Sequence, residues 1–221
     1  MAQLPHRSFS FFQSHPFMIA WTSPDPEGFG QCLHFLVEGQ GGFSNDIKFC
    51  SSGVVSVMVD GPYGAGNTLH DYDKLLFVVH GVGVGAYLLT IRDLLRAHEA
   101  RTARARRICL VWQLDSLGCY EIVKTFLREL LIDDTRSILN IFVFAPDTTS
   151  STDSPDRLYI ESNQMADFKW ILEQEWNAEA GNMAVAVCGH SSFDQNIRDA
   201  LRENGNDIHL MVSEFEPERY K

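Results

Sequence analysis

No stretch of this chain approaches the roughly 18 uninterrupted apolar residues of a membrane-spanning helix, and the N-terminal MAQLPHRSFSFF lacks the apolar centre of a secretory signal. Basic residues are scarce. Lys and Arg number 18 against 29 Asp and Glu, a net charge of −11, which works against nonspecific binding to nucleic acid or anionic lipid. The five cysteines (Cys32, Cys50, Cys109, Cys119, Cys188) are scattered, with no C-x-x-C, and fit a reducing intracellular compartment. The eight histidines show no metal-ligand spacing. Cys32-Leu-His34 and Cys188-Gly-His190 are close pairs without further partners, so no metal site is expected. Also missing are G-x-S-x-G, H-E-x-x-H and a P-loop, so no acid–base triad is assigned. Taken alone, the chain is expected to be soluble and cytoplasmic.

What is present is a large apolar content, 45% against 21% charged residues, enough for a sizeable core. From about residue 71 onward, strand and helix patterns alternate. Leu75–Val79 is a continuous apolar run, followed by a helical stripe of Leu88, Ile91, Leu94 and Leu95. Ile108–Leu114 is the next run, with a stripe of Ile122, Val123, Phe126, Leu127 and Leu130 behind it. Ile138–Ala145 reads as a third strand, and the polar 146–157 as a loop. A helix around 165–176 leads to the buried run Met183–Cys188. Ser192-x-x-Gln195 has capping-box form and opens a helix with Phe193, Ile197 and Leu201 inward; Ile208–Phe215 closes as a strand. Such alternation means crossover connections and a parallel sheet with helices on both faces.

The first 60 residues differ. His15–Trp21, Gln31–Val37 and Val54–Asp60 read as strands separated by Pro- and Gly-rich turns, the pattern of a small antiparallel barrel or sheet. A boundary is expected near 61–70. One basic cluster, Arg101, Arg104, Arg106 and Arg107, falls where a helix ends and reads first as a solvated helix terminus, with a phosphate patch as the alternative.

The segment LLFVVHGVGVGAYLLTIRDLL (75–95) sets Gly81, Gly83 and Gly85 between a buried strand and a helix. A helix N-terminus offers free N–H groups to phosphate, and glycines let a ligand approach the backbone. The spacing G-x-G-x-G is not the dinucleotide fingerprint, and an acidic residue about 20 positions on is missing. By itself the motif fits a phosphate turn or a tight corner equally well.

Its neighbours decide. The order HPFMIAW (15–21), GGFS (41–44), VMVDGPYG (57–64), VHGVGVGAYLLTIRDLL (79–95), RRICLVWQLD (106–115) and VAVCGH (185–190) resembles the cytosolic dehydrogenase portion of the flavocytochrome-b-type transmembrane reductases. These are the fungal ferric-chelate reductases and, more distantly, the NADPH oxidases, with the ferredoxin–NADP reductase fold. The resemblance runs from about residue 9 to the end. It implies an α/β chain with a partial antiparallel β flavin domain at 1–64, N-terminally truncated, and a parallel-sheet, Rossmann-like NAD(P)-binding domain at 65–221.

By the same resemblance, His15, Pro16 and Phe17 lie beside FAD, His15 at its diphosphate and Phe17 against the isoalloxazine ring. Gly42 and Ser44 belong to a turn facing the diphosphate, and Asp60–Gly64 to the interdomain hinge. Gly81, Gly83 and Gly85 cradle the pyrophosphate of NADPH or NADH, Trp112 stands where the adenosine half is read, and Cys188-Gly189 lies near the nicotinamide. Phe17 and Cys188 are the residues implied at the reacting rings. The departures are Met18, where relatives carry a hydroxyl able to reach the flavin, and His80, where they carry a small residue; Tyr220 is a weak counterpart of a C-terminal aromatic cover. Asp115, just after the second strand of the alternating series, favours a free ribose hydroxyl over a 2′-phosphate, whereas the resembled family as a whole favours NADPH, so the choice between NADH and NADPH stays open. The implied reaction is hydride transfer from NAD(P)H to FAD, with electrons passed on to haem and then to ferric iron in iron uptake, or to oxygen. In full-length relatives a haem-bearing transmembrane domain is the partner, and this portion is cytosolic. The alternatives are a truncated or diverged non-catalytic nucleotide-binding fragment, and a soluble NAD(P)H:flavin reductase.

Overall fold

In the computed structural model, residues 16–28, 30–39, 44, 58–63, 68–145, 157–162, 165–204 and 208–213 are described. Six strands make one sheet: β3 (Lys74–His80), β4 (Arg107–Gln113), β5 (Leu139–Ala145), β6 (Leu158–Ser162), β7 (Met183–Cys188) and β8 (His209–Val212). All adjacent pairs are parallel, in the order β6-β5-β4-β3-β7-β8. The apolar runs are continuous because both faces are covered. Leu75, Phe77 and Val79 face helices α1 (Leu88–Glu99) and α2 (Leu117–Asp133), whereas Leu76 and Val78 face α3 (Phe168–Ala178) and α4 (Ser191–Asn204).

The chain steps outward from β3 through β4 and β5 to β6, then returns past β3 to build β7 and β8. Its direction therefore reverses between β3 and β7. A crevice opens at the carboxyl ends of the strands where the order reverses in this way.

Before this sheet, β1 (Ile19–Pro24) and β2 (Gln31–Phe35) form an antiparallel pair. It docks on the helices through Trp21, which is 1% exposed. The Trp21 ring stacks on Phe126 of α2 with centroids 5.2 Å apart, and the Arg92 guanidinium lies 4.6 Å from the centroid of the same Trp21 ring. Arg92 also donates to the Thr22 carbonyl at 3.0 Å, so α1 holds both side chain and backbone of β1. Phe17, Met18, Leu33 and Phe35 leave apolar surface on the outside of this pair.

Several elements depart from the sequence reading. β6 follows the polar 146–157 segment and was not expected; it is a short edge strand whose Tyr159 is exposed, so it carries little apolar signal. Helix α4 starts one residue early, which places Ser192 inside the first turn. His190 caps it instead, its Nδ1 accepting from the Phe193 N–H at 3.2 Å, while Gln195 reaches along the helix to Asp199. Ile122 of the expected stripe on α2 is exposed, one step off the face shared by Val123, Leu127 and Leu130. Residues 54–57 of the third expected N-terminal strand lie outside the described residues, and 58–60 have no strand pairing. No helix among the described residues is long and apolar enough to cross a membrane.

Candidate dinucleotide site

Directly after β3, Gly81–Ala86 winds as a 3-10 turn and passes through Tyr87 into α1. Neither start carries a side-chain cap, and neither first turn holds an acidic residue, so no carboxylate competes for an anion there. The three glycines do different work. Gly81 has φ of 53° with open space where a Cβ would stand, the left-handed conformation that favours glycine. Gly83 is buried against the end of β7, where a Cβ would come 2.6 Å from the Cys188 carbonyl oxygen. Gly85 packs beneath Ala20 and Leu36 of the N-terminal segment. The turn thus shows Gly81 and Val82 to solvent and tucks Gly83, Val84 and Gly85 inward.

Two side chains fix it. Trp112, fully buried on β4, donates its indole N–H to the Gly81 carbonyl at 2.8 Å. Its action on the site is therefore through the glycine turn and not through an exposed ring. Tyr87 is buried at the other end; its hydroxyl donates to the Val187 carbonyl at 2.9 Å and lies 3.0 Å from Ser213 Oγ. Burial holds that phenol well above its ordinary range.

Beside the turn, β7 ends in Cys188, Gly189 and His190. Cys188 is fully buried, and burial, with Asp194 nearby, pushes its thiol up to about 12. At neutral pH it is a neutral S–H packed beneath the turn, without the thiolate a nucleophile needs. A Cβ on Gly189 would collide with the Phe193 ring and crowd His80, so the close passage of three elements depends on it.

The rim was only partly foreseen. His80 ends β3, Asp115 follows β4, and His190 follows β7, so adjacent strand ends deliver all three to one place. His80 Nε2 lies 3.3 Å from Asp115 Oδ1, whose side chain is 83% exposed. The His80 ring meets His190 edge-on at 4.7 Å and Phe193 at 5.3 Å. Because His190 Nδ1 accepts from the Phe193 N–H, its Nε2 carries the proton in the neutral ring. Position after successive strands was the available signal; that His190 joins the other two depends on strand order.

Of the residues expected near a flavin, Phe17 is half exposed and meets Phe35 edge-on at 6.3 Å; Pro16 and Met18 are exposed beside it, and Ser44 is half-buried. His15 and Gly42 lie outside the described residues. Gln113, next to Trp112, is buried; it accepts from the Ala166 N–H at 2.8 Å, which makes it a support for the segment before α3.

This arrangement is an α/β unit with the ferredoxin–NADP reductase-like fold. The CS-b5R domains of human Ncb5or, in the NAD+ form, share the fold at 14% identity and a TM-score of 0.54, over 86% of this chain and 51% of that one. The cytochrome b5 reductase domain of Ulva prolifera nitrate reductase does so at 11% identity and 0.52, over 84% and 73%. Residues 72–171 match the family described as ferric reductase NAD binding domain. The ferric reductase transmembrane component 1 of Schizosaccharomyces pombe is 36% identical over 99 residues, 44% of this chain and 17% of that protein. The matched segment, from just before β3 into α3, is thus similar to the NAD-binding portion of ferric reductases, and the chain spans only about a sixth of the length of the curated relative it matches.

Proposed function

We propose that this chain is an NAD(P)H-dependent oxidoreductase unit of the ferric-chelate-reductase type. The supporting observation is the reversal of strand order, which sets the glycine turn after β3 and the Cys188–His190 turn after β7 side by side where such sheets hold their ligands. The dinucleotide lies across the strand ends, its pyrophosphate on the solvent-facing Gly81–Val82 edge and its nicotinamide toward Cys188-Gly189. Gly83 and Gly85 shape the turn from within, Trp112 holds Gly81, and His190 offers an Nε2–H to an anion. The buried Cys188 thiol is a neutral wall there.

A flavin, when bound, would take the hydride as an electron pair and release single electrons to an acceptor such as ferric chelate or haem. The half-exposed Phe17 ring suits one face of such a group, and His15, Pro16, Gly42 and Ser44 are proposed around its remainder. The division into a flavin part at 1–64 and a dinucleotide part at 65–221 belongs to this reading, as do a haem-bearing membrane partner and a role in iron uptake.

Asp115 sets the cofactor choice. Its exposed carboxylate at the end of β4 favours a ribose hydroxyl and repels a 2′-phosphate. A charge pair in water-like surroundings is worth about 1 kcal/mol, so Asp115→Ser should shift the NADPH-to-NADH ratio of kcat/KM about fivefold toward NADPH. Steady-state oxidation of both nucleotides by the full chain, with added FAD and ferric chelate, measures this. An unchanged ratio discards the role of Asp115; background oxidation by a colourless protein discards the enzyme.

A further inference from the structure

At the other edge of the sheet, where the strands begin, lies a cleft of about 280 Å³ lined by Asp73, His98, Arg101, Ala103, Arg104 and Arg106. Seven-residue strands separate it from the glycine turn by about 20 Å at the usual rise. The basic cluster Arg101, Arg104, Arg106 and Arg107 is divided here. Arg107 leaves it, donating through Nε and Nη2 to both oxygens of the buried Glu175 at 2.6 and 2.8 Å. The other three arginines stay on the cleft.

Their backbone is firmly set. After α1 the chain turns back with the Thr102 N–H on the Ala97 carbonyl at 2.8 Å, the Arg104 N–H on His70 O at 2.8 Å and the Arg106 N–H on Asp73 O at 2.8 Å. Arg101 is held at φ of 59°, a conformation that costs a residue with a side chain and persists only where its surroundings impose it. The guanidinium groups are far from neutralised. Asp73 is the carboxylate on the wall, 7% exposed, and it is shared between Arg104 at 3.3 Å, Arg106 at 3.9 Å and the Asn182 N–H at 3.1 Å. Arg104 and Arg106 remain 60% and 68% exposed. In a chain of net charge −11, three arginines facing one buried carboxylate make a local excess of positive charge.

Planar guanidinium forks suit the paired oxygens of a phosphate, and several around one concavity give more than solvated single charges would. We propose that this cleft is a second phosphate site, separate from the dinucleotide crevice, which takes a small free phosphate-bearing ligand between Arg101, Arg104 and Arg106.

Calorimetric titration of the full chain with inorganic phosphate and with diphosphate, at low ionic strength, tests it. One saturable site is expected, weakened at least about tenfold in Arg104→Gln/Arg106→Gln, because each lost charge-assisted hydrogen bond is worth about a factor of ten or more. Arg101→Gly removes a guanidinium without touching Asp73 and suits the positive φ, so the same direction of change is expected in a chain that stays folded. NADH affinity should be unchanged in both variants. The proposal is overturned by absence of saturable binding, by equal affinity in parent and variants, or by binding confined to anionic phospholipid vesicles.

Discussion

Gly83 and Gly81 stand two residues apart, yet packing constrains one and backbone angle the other. A methyl group on Gly83 would come 2.6 Å from the carbonyl oxygen of Cys188, and that backbone belongs to a central parallel strand with no room to retreat. Gly83→Ala should therefore lower stability by about 1–3 kcal/mol, the usual cost of overfilling a packed site. A urea titration should show this as a lower midpoint with an unchanged slope; an unchanged midpoint would mean that the turn is not seated on β7. A glycine-rich corner was plain in residues 75–95. Which glycine meets what was not, because the neighbour of Gly83 lies about a hundred residues further along. The same holds for Trp112: its sequence position marks a strand end, but only the fold turns its indole inward to Gly81. His80 and Asp115 each ended an apolar run and were noticed singly, and their approach depends on β3 and β4 being neighbours in exact parallel register.

The strands and helices of the alternating part were legible because each has a strong period and a large apolar face. Met183–Cys188 coincides with β7, and the Leu88, Ile91, Leu94 and Leu95 stripe is the buried side of α1. What failed to show was marginal in apolar content or depended on a boundary: β6 at the edge of the sheet, and the His190 cap in place of the Ser192 box. The docking of β1 on the helices was equally hidden, since it runs through Trp21, Arg92 and Phe126, none of which announces the others. Removing that ring leaves a cavity and an unsupported guanidinium. Trp21→Ala should cost about 3–5 kcal/mol. Thermal unfolding followed by far-ultraviolet dichroism would measure it, and a loss below about 1 kcal/mol would show that the β1–β2 pair is not integral to the fold.

Across the whole molecule, function follows from the order in which strands are laid down. Three strands progress to one side of β3 and the next, β7, returns to its other side, and this reversal brings a glycine turn and a Cys-Gly-His turn together without either sequence specifying the other. The opposite edge, built from strand beginnings, gathers the arginines. The two ends thus differ in chemistry: backbone amides and a histidine–carboxylate rim at one, guanidinium groups at the other. Nuclear magnetic resonance mapping of the full chain titrated with NADH separates them most directly. Amide shifts are expected to concentrate at residues 80–82 and 188–191, with those of 101–106 unmoved. Shifts centred on the arginine edge, or none near the glycine turn at saturating NADH, would contradict the assignment of the crevice between β3 and β7.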